Sequence, residues 1–166
     1  IRSAIRWPND VVINGRKVAG ILLEGAPNAL VVGIGINANV PAEALPEAFR
    51  PGAASLHDLA GRTIDLDVLL ESLSAQVASW YAVWAAGGTQ VMDAWTARDV
   101  TRGTRIIAKS HGGTIEGIAD GADPDGALRV RLPAGDVRRV VAGDLAVLVQ
   151  TAARDTRQGR GQEPFG

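Results

Sequence analysis

Between Val11 and Ile36 the chain alternates apolar runs with short polar breaks. Val11-Val12-Ile13 meets Asn14-Gly15, a dipeptide that accepts the two positive φ angles of a tight hairpin turn. Val18 to Leu23 return as a second strand, and after a break at Ala26-Pro27-Asn28 the run Leu30 to Ile36 makes a third. Short connections predict an antiparallel meander, and the near-continuous apolar runs predict a sheet covered on both faces for part of its length. Val40 to Gly61 is rich in Ala, Pro and Gly and predicts a loop with one or two short helical turns. The period then changes. Leu66, Leu69, Leu70, Leu73, Val77, Trp80, Tyr81 and Trp84 recur at spacings of three and four, the stripe of a long helix. Asp65 or Asp67 suits its start and Gly87-Gly88 its end. At this spacing the aromatic stripe is expected to pack in a core rather than to form a ligand platform. A shorter helix carries Val91, Met92 and Trp95.

Past Val100 the texture is that of short strands: Arg105–Lys109, Thr114–Ala119, Ala127–Leu132, Val137–Val141 and Leu145–Val149, separated by glycine-containing turns. Five such runs in succession predict a small all-β barrel. Residues 151–166 are polar and glycine-rich and are expected to form a flexible tail. The pattern therefore predicts an α+β chain in three parts: 1–99 with sheet and helices, 100–150 as the barrel, and 151–166 as the tail. No internal repeat is present.

Composition narrows the chemistry. Of 166 residues 46% are hydrophobic and 21% charged, the balance of a globular chain. The formal charge is −1, so no basic excess recommends nucleic acid as a partner. Cysteine is absent, which excludes disulfides, thiolate catalysis and cysteine-ligated metals. The two histidines, His57 and His111, stand apart without a companion ligand motif, and no dedicated zinc site is expected. No apolar run reaches the roughly 18 residues of a membrane span, and a cytoplasmic location is expected. The chain opens at Ile1 in strand-like sequence, as a segment beginning inside a longer gene product does.

The densest group of suggestive side chains is Arg6-Trp7-Pro8-Asn9-Asp10. A register across Asn14-Gly15 sets Lys17 roughly opposite Asp10 to Val12. A lysine beside a carboxylate and near Gly20, where a ligand can approach the backbone, suits an anionic substrate. Gly33, Gly35 and Asn37 end the third strand similarly, with two side-chain-free positions and an amide that both donates and accepts. Each feature also has a plain explanation. Asn9-Asp10 suits a turn, Lys17 a solvated hairpin lysine, Arg6 a surface charge and Trp7 the core. Gly33-Ile34-Gly35 lies within a strand and is not a dinucleotide fingerprint.

The combination is more specific. Arg6-Trp7-Pro8-Asn9-Asp10, then Lys17-Val18-Ala19-Gly20-Ile21-Leu22, then Gly33-Ile34-Gly35-Ile36-Asn37 resembles the central block of the biotin protein ligases. The resemblance continues through Ser55-Leu56 and the long helix into Gly117-Ile118-Ala119-Asp120-Gly121 and Asp125-Gly126-Ala127-Leu128. It implies the later part of the catalytic domain, a biotin/lipoate ligase-type mixed sheet with packed helices, followed by a small Src-homology-like β-barrel.

The resemblance also implies a two-step reaction. ATP activates biotin as biotinyl-5′-AMP, with Mg²⁺ offsetting the charge of the phosphates, and a lysine of a carboxylase's biotin carboxyl-carrier domain then takes the biotin. By resemblance Lys17 contacts the biotin carboxylate and the α-phosphate, and Asp10 orients Lys17 or helps activate the incoming amine. Gly20, Gly33 and Gly35 line the biotin site, while Arg6, Asn9 and Asn37 serve ATP and the adenylate. The family's Gly-Arg-rich loop stands upstream of the Trp-Pro-Asn-Asp segment and is expected outside these residues; Arg160 in the tail is no substitute. Small Ala53 and Ala54 stand where some members place an aromatic ring against adenine. Two other readings remain open: a lipoate-type ligase, and a non-catalytic module that binds or forms a homodimer through an exposed sheet edge. Any DNA-binding domain would lie upstream.

Overall fold

A computed structural model describes residues 2–27, 29–48, 50–110, 113–141 and 143–147. Asn28, His111, the end of the last expected strand and the tail 151–166 lie outside the described residues.

The first sheet has four strands in sequence order: β1 (Ala4–Arg6), β2 (Asp10–Ile13), β3 (Arg16–Ala26) and β4 (Ala29–Ile36). The meander expected from the sequence thus gains a strand at its front, too short at three residues to show a period. Asn14 and Gly15 adopt φ of 51° and 74°, as their hairpin turn requires. Every ladder in this sheet is antiparallel. Parallel pairing occurs only as the isolated bridges Ile5↔Asp99 and Lys17↔Ala53, not as a mixed sheet within the described residues. Covering is confined to one end of the sheet. Val12, Ile13, Val18 and Ala19 are buried, whereas Leu22, Leu23, Leu30, Val31 and Val32 are exposed.

Residues 40–61 hold three helical segments, one more than the sequence suggests: 3-10 turns at Ala42–Ala44 and Arg50–Gly52, and α1 (Leu56–Ala60). Ser55 caps α1 through its side chain, which accepts from the Asp58 N–H at 3.1 Å. The long helix α2 spans Leu66–Ala85 and α3 spans Gln90–Thr96. Asp65 caps α2 by accepting from the N–H groups of Asp67 and Val68 at 3.0 and 3.1 Å. The core expectation for the aromatic stripe is overturned. Trp80, Tyr81 and Trp84 are 41%, 63% and 61% exposed, and no α2 residue is buried. The stripe faces Val11, Ile21, Ile34 and Ile36 of the first sheet across an open apolar cavity of about 600 Å³. It lines that space without closing it.

The second sheet comprises β5 (Arg105–Ser110), β6 (Gly113–Ala122), β7 (Leu128–Arg131), β8 (Val137–Val140) and β9 (Asp144–Val147), in the order β8-β7-β6-β5-β9. Ile106 and Ala108 from β5, Ala119 from β6, Leu128 and Val130 from β7 and Val140 from β8 share one core, with Leu145 of β9 packed against it. One face of all five strands turned into a single core is the geometry of a small rolled sheet. Arg139 on β8 ties down the β6–β7 turn, donating to Asp123 and Asp125 at 2.5 Å each.

Two predictions follow from this packing. An added Cβ at Gly117 on β6 would run into the Arg131 carbonyl and meet Val130 Cγ1 at 2.8 Å. Gly117→Ala is expected to lower stability by roughly 1–3 kcal/mol, as overpacking does, in urea unfolding. Gly25→Ala, which meets nothing within 4 Å, is the neutral comparison. The second concerns pH. The Arg139 guanidinium, then the Ala127 N–H, hold the Asp125 carboxyl below its usual range. A carboxylate depressed on folding stabilises above its unfolded pKa, and the contribution is lost as pH falls through the folded value. Arg139→Ala should move the Asp125 titration, followed by carboxyl NMR, upward toward the ordinary range, with the Ala127 N–H still holding it partly down.

Candidate functional site

The site is built on one irregularity of β3. Val11 pairs with Ala19 and Asp10 with Gly20, but Val12 pairs with Lys17, so Val18 is an extra residue in the strand. In a regular strand Lys17 and Gly20, three apart, would point to opposite faces. The bulge shifts the phase by one, so Lys17, Gly20, Asp10 and Val12 share a face. Gly20 is opposite Gly35, and Leu22 is opposite Gly33, which puts both glycines on that same face. The other face carries Ile21, Ile34 and Ile36 toward α2.

On the glycine face the charges form a chain. Arg6 is opposite Asp10 across β1 and β2 and donates to its Oδ2 at 3.0 Å. Lys17 Nζ lies 2.5 Å from Asp10 Oδ1. Two cations thus share one carboxylate and leave a net positive centre. The Lys17 side chain lies across Gly20, where an added Cβ would meet Nζ at 3.1 Å. The side chains of Lys17 and Arg6 are 43% and 27% exposed, so the pair adds little to stability and stays accessible to an entering anion.

Arg6 and Lys17 stand in the wall between two cavities. One, of about 790 Å³, lies between the sheets and is bounded by Asn9, Asp10, Thr104, Gly143 and Leu145. The other, of about 390 Å³, is bounded by Asn37, Leu45, Ala48, Gly52 and Ala53. The segment around Ala53 is fixed beside Lys17: the Ala54 N–H donates to the Lys17 carbonyl at 2.8 Å, and Arg16 Nε donates to the Ala53 carbonyl at 2.8 Å.

Of the residues singled out from sequence, Arg6, Asp10, Lys17 and Gly20 come together directly. Gly33 and Gly35 extend their face along β4. Asn37 lines the smaller cavity while its amide donates to the Ala54 carbonyl at 3.2 Å. Asn9 lines the larger one, but its amide donates to the Ile21 carbonyl at 2.8 Å and ties the Trp7–Asn9 turn to β3. His57 lies in α1 and lines neither cavity. The contributions of Leu45, Ala48, Thr104, Gly143 and Leu145 carry no local sequence signal, because each reaches the site only through long-range packing. Among the described residues no group of three or more His, Asp or Glu could hold a metal. Asp10 is already held by two cations and makes a poor ligand for one.

Comparison with known proteins gives this geometry a context. Residues 1–40 match the biotin/lipoate A/B protein ligase family, and residues 101–148 match the biotin protein ligase C-terminal domain. The chain is 39% identical over 141 residues to a biotin–[acetyl-CoA-carboxylase] ligase of Paracoccus denitrificans, covering 81% of this chain and 59% of that protein. It is 33% identical over 147 residues to the ligase of the same name from Mycobacterium tuberculosis, covering 88% and 53%. The bifunctional ligase/repressor BirA of Bacillus subtilis is 30% identical over 151 residues, covering 87% and 46%. The chain therefore spans about half the length of these curated relatives. In fold it superposes on the Aquifex aeolicus biotin protein ligase solved with biotin and ATP, with a TM-score of 0.77 at 23% identity, covering 89% of this chain and 62% of that one. Both matched segments and the curated relatives show that the chain belongs to the biotin protein ligases and corresponds to the carboxyl-terminal part of one.

Proposed function

We propose that the protein carrying this chain is an ATP-dependent biotin protein ligase, with 1–99 as the later part of its catalytic domain and 100–150 as its terminal β domain. The observation that carries the reading is the Arg6–Asp10–Lys17 chain on a glycine-floored face, within a segment that matches the ligase family. In the first step a biotin carboxylate oxygen attacks the α-phosphorus of ATP. The bond to the β-phosphate breaks, pyrophosphate leaves, and biotinyl-5′-AMP is formed. In the second step the amine of a lysine on a carboxylase's carrier domain attacks the acyl carbon, loses a proton and releases AMP.

Both steps gather negative charge, so fixed cations are the main requirement. Lys17, supported by Asp10, is assigned to the biotin carboxylate and the α-phosphate. Gly20, Gly33 and Gly35 make a floor on which biotin lies close to the backbone. Arg6 faces the phosphates. Asn37, with Leu45 and Ala48, bounds the smaller cavity as the place for nucleotide, and Asn9 acts mainly by holding the turn. Mg²⁺ enters as the companion ion of the ATP substrate; the described residues do not form a resident site for it, and no step is assigned to it. Biotin is favoured over lipoate because the second matched segment is that of biotin protein ligases.

Biotinyl-adenylate formation, followed by mass spectrometry with biotin, ATP and Mg²⁺, tests the reading. Lys17→Ala is expected to lower the rate by about 10²–10³-fold, the usual loss for one transition-state charge contact. Lipoic acid in place of biotin should give little adenylate. A native protein that makes no adenylate even when joined to the remainder of a relative's sequence would sink the ligase assignment.

One observation favours a second reading, that the chain associates through its open apolar surfaces. Leu22, Leu23, Leu30, Val31 and Val32 are exposed on β3 and on the edge strand β4, and the α2 cavity is unfilled. A patch of this kind on an unpaired edge promotes pairing. Light scattering of the 166-residue chain is expected to show a mass that rises with concentration; a constant monomer mass would exclude association.

A further inference from the structure

The turn that carries Arg6 and Asp10 is fastened to a remote part of the chain. Between them stands Trp7, only 3% exposed, whose ring lies in the core of the second sheet among Ile106, Leu128, Val130 and Val140. Both of its N–H groups are used there. The main-chain N–H donates to Thr101 Oγ1 at 2.8 Å, and the indole Nε1–H donates to the Gly126 carbonyl at 2.9 Å. Thr101 is itself 1% exposed, and its own N–H donates to Asp99 Oδ1 at 2.7 Å. Gly126, at φ +85°, closes the β6–β7 turn that Arg139 holds. At its other end the turn is held to the first sheet, where the Ile21 N–H donates to the Asn9 carbonyl at 3.0 Å. The turn is thus held by two hydrogen bonds on each side, to β3 through Asn9 and to Thr101 and the β6–β7 turn through Trp7, and the two charged residues stand at its feet.

We propose that Trp7 and Thr101 are positioning residues for the ligase reaction: the second sheet, acting through them, sets where Asp10 holds Lys17. The proposal rests on the ligase reading of the site. The cations of the chain, Lys17 above all, remain open to water, and ion pairs of that kind are too weak to fix their own geometry. A buried ring with one buried and one part-buried hydrogen bond is not. Cations that meet a reacting group tolerate little displacement, about 1 Å being enough to lower a rate on the order of 10²-fold. The glycine floor is held by the β3–β4 ladder, which Trp7 does not touch. Loosening Trp7 therefore acts mainly on turnover, and on biotin binding only through the Lys17 contact to its carboxylate.

Three variants test this in the intact protein. Thr101→Val keeps the branched shape and removes the acceptor for the Trp7 N–H, Thr101→Ser keeps the acceptor, and Trp7→Phe keeps a ring while removing the indole donor. Thermal melts establish that each is folded at the assay temperature. The expected result is a fall in kcat for adenylate formation of about tenfold or more in Thr101→Val and Trp7→Phe, with a smaller change in KM for biotin. Thr101→Ser should stay near the native rate. Unchanged kcat in folded Thr101→Val and Trp7→Phe, or an equal loss in Thr101→Ser, would overturn the coupling and leave these residues to stability alone. If the protein makes no adenylate even when joined to the remainder of a relative's sequence, the ligase reading fails and the coupling is read by NMR. Asp10 and Lys17 side-chain signals that move in Thr101→Val but not in Thr101→Ser uphold it, and signals that stay in both overturn it.

Discussion

One extra residue in β3 decides which groups meet. Without the bulge at Val18, Lys17 would point toward α2 and the apolar cavity, Gly20 would floor an empty face, and Asp10 would have only Arg6. With it, the basic end of the strand and its glycine share a surface, and the next strand adds Gly35 and Gly33 to it. A one-residue change of phase moves every later side chain to the other face. The bulge therefore has to stay where it is, and the long-range partners of the strand see to that. Val18 itself is 2% exposed, its carbonyl accepts from the Asn37 N–H, and the Lys17 carbonyl accepts from the Ala54 N–H.

Much of this was legible in the sequence, because short-range signals decide it. Asn14-Gly15 marked the hairpin, Asp65 and Gly87 bounded α2, and the five short runs after Val100 became five strands in nearly the expected places. Arg6, Asp10, Lys17 and Gly20 could be grouped because one tight turn brings them together. What stayed illegible was set by residues far apart in the chain. The bulge could not be read, since Val18 looks like any strand valine and only its pairing shows it to be extra. Trp7 was expected to be buried, and it is, yet in the core of the second sheet rather than the first. Nothing local distinguishes those outcomes, because a tryptophan after an arginine and before a proline carries no label for the core it enters. The aromatic stripe of α2 failed for the opposite reason. Its period is that of a buried face, but a period states only that one side of a helix is apolar, not that a partner covers it.

The open face of α2 and the exposed end of the β3–β4 hairpin belong to one picture. Both are apolar surfaces on elements that are otherwise well made: α2 is capped at Asp65, and the hairpin ladder is regular from Ala19↔Ile36 to Ala26↔Ala29. Well-formed elements with uncovered apolar sides are surfaces that another segment or another chain can cover. The glycine face differs in kind. It is cationic at the Arg6–Lys17 end and carries glycine at Gly20, Gly35 and Gly33 along the two paired strands.

Under the ligase reading, the shared carboxylate also explains why the cations are held loosely. Before substrate arrives, Arg6 and Lys17 would repel each other without Asp10 between them. When an anion enters, each cation can exchange part of its contact with Asp10 for the incoming oxygen, with little net change in local charge balance and no need to draw a cation out of bulk water. Electrostatic stabilisation of a developing charge is strongest when the groups are already in place before it forms. For that, Asp10 must keep its position while its partners shift, and partners that shift cannot hold it there. The constraint has to come through the backbone on either side of the turn. Asn9 provides it from the first sheet and Trp7 from the second, so the charge chain is a local arrangement whose geometry both sheets set.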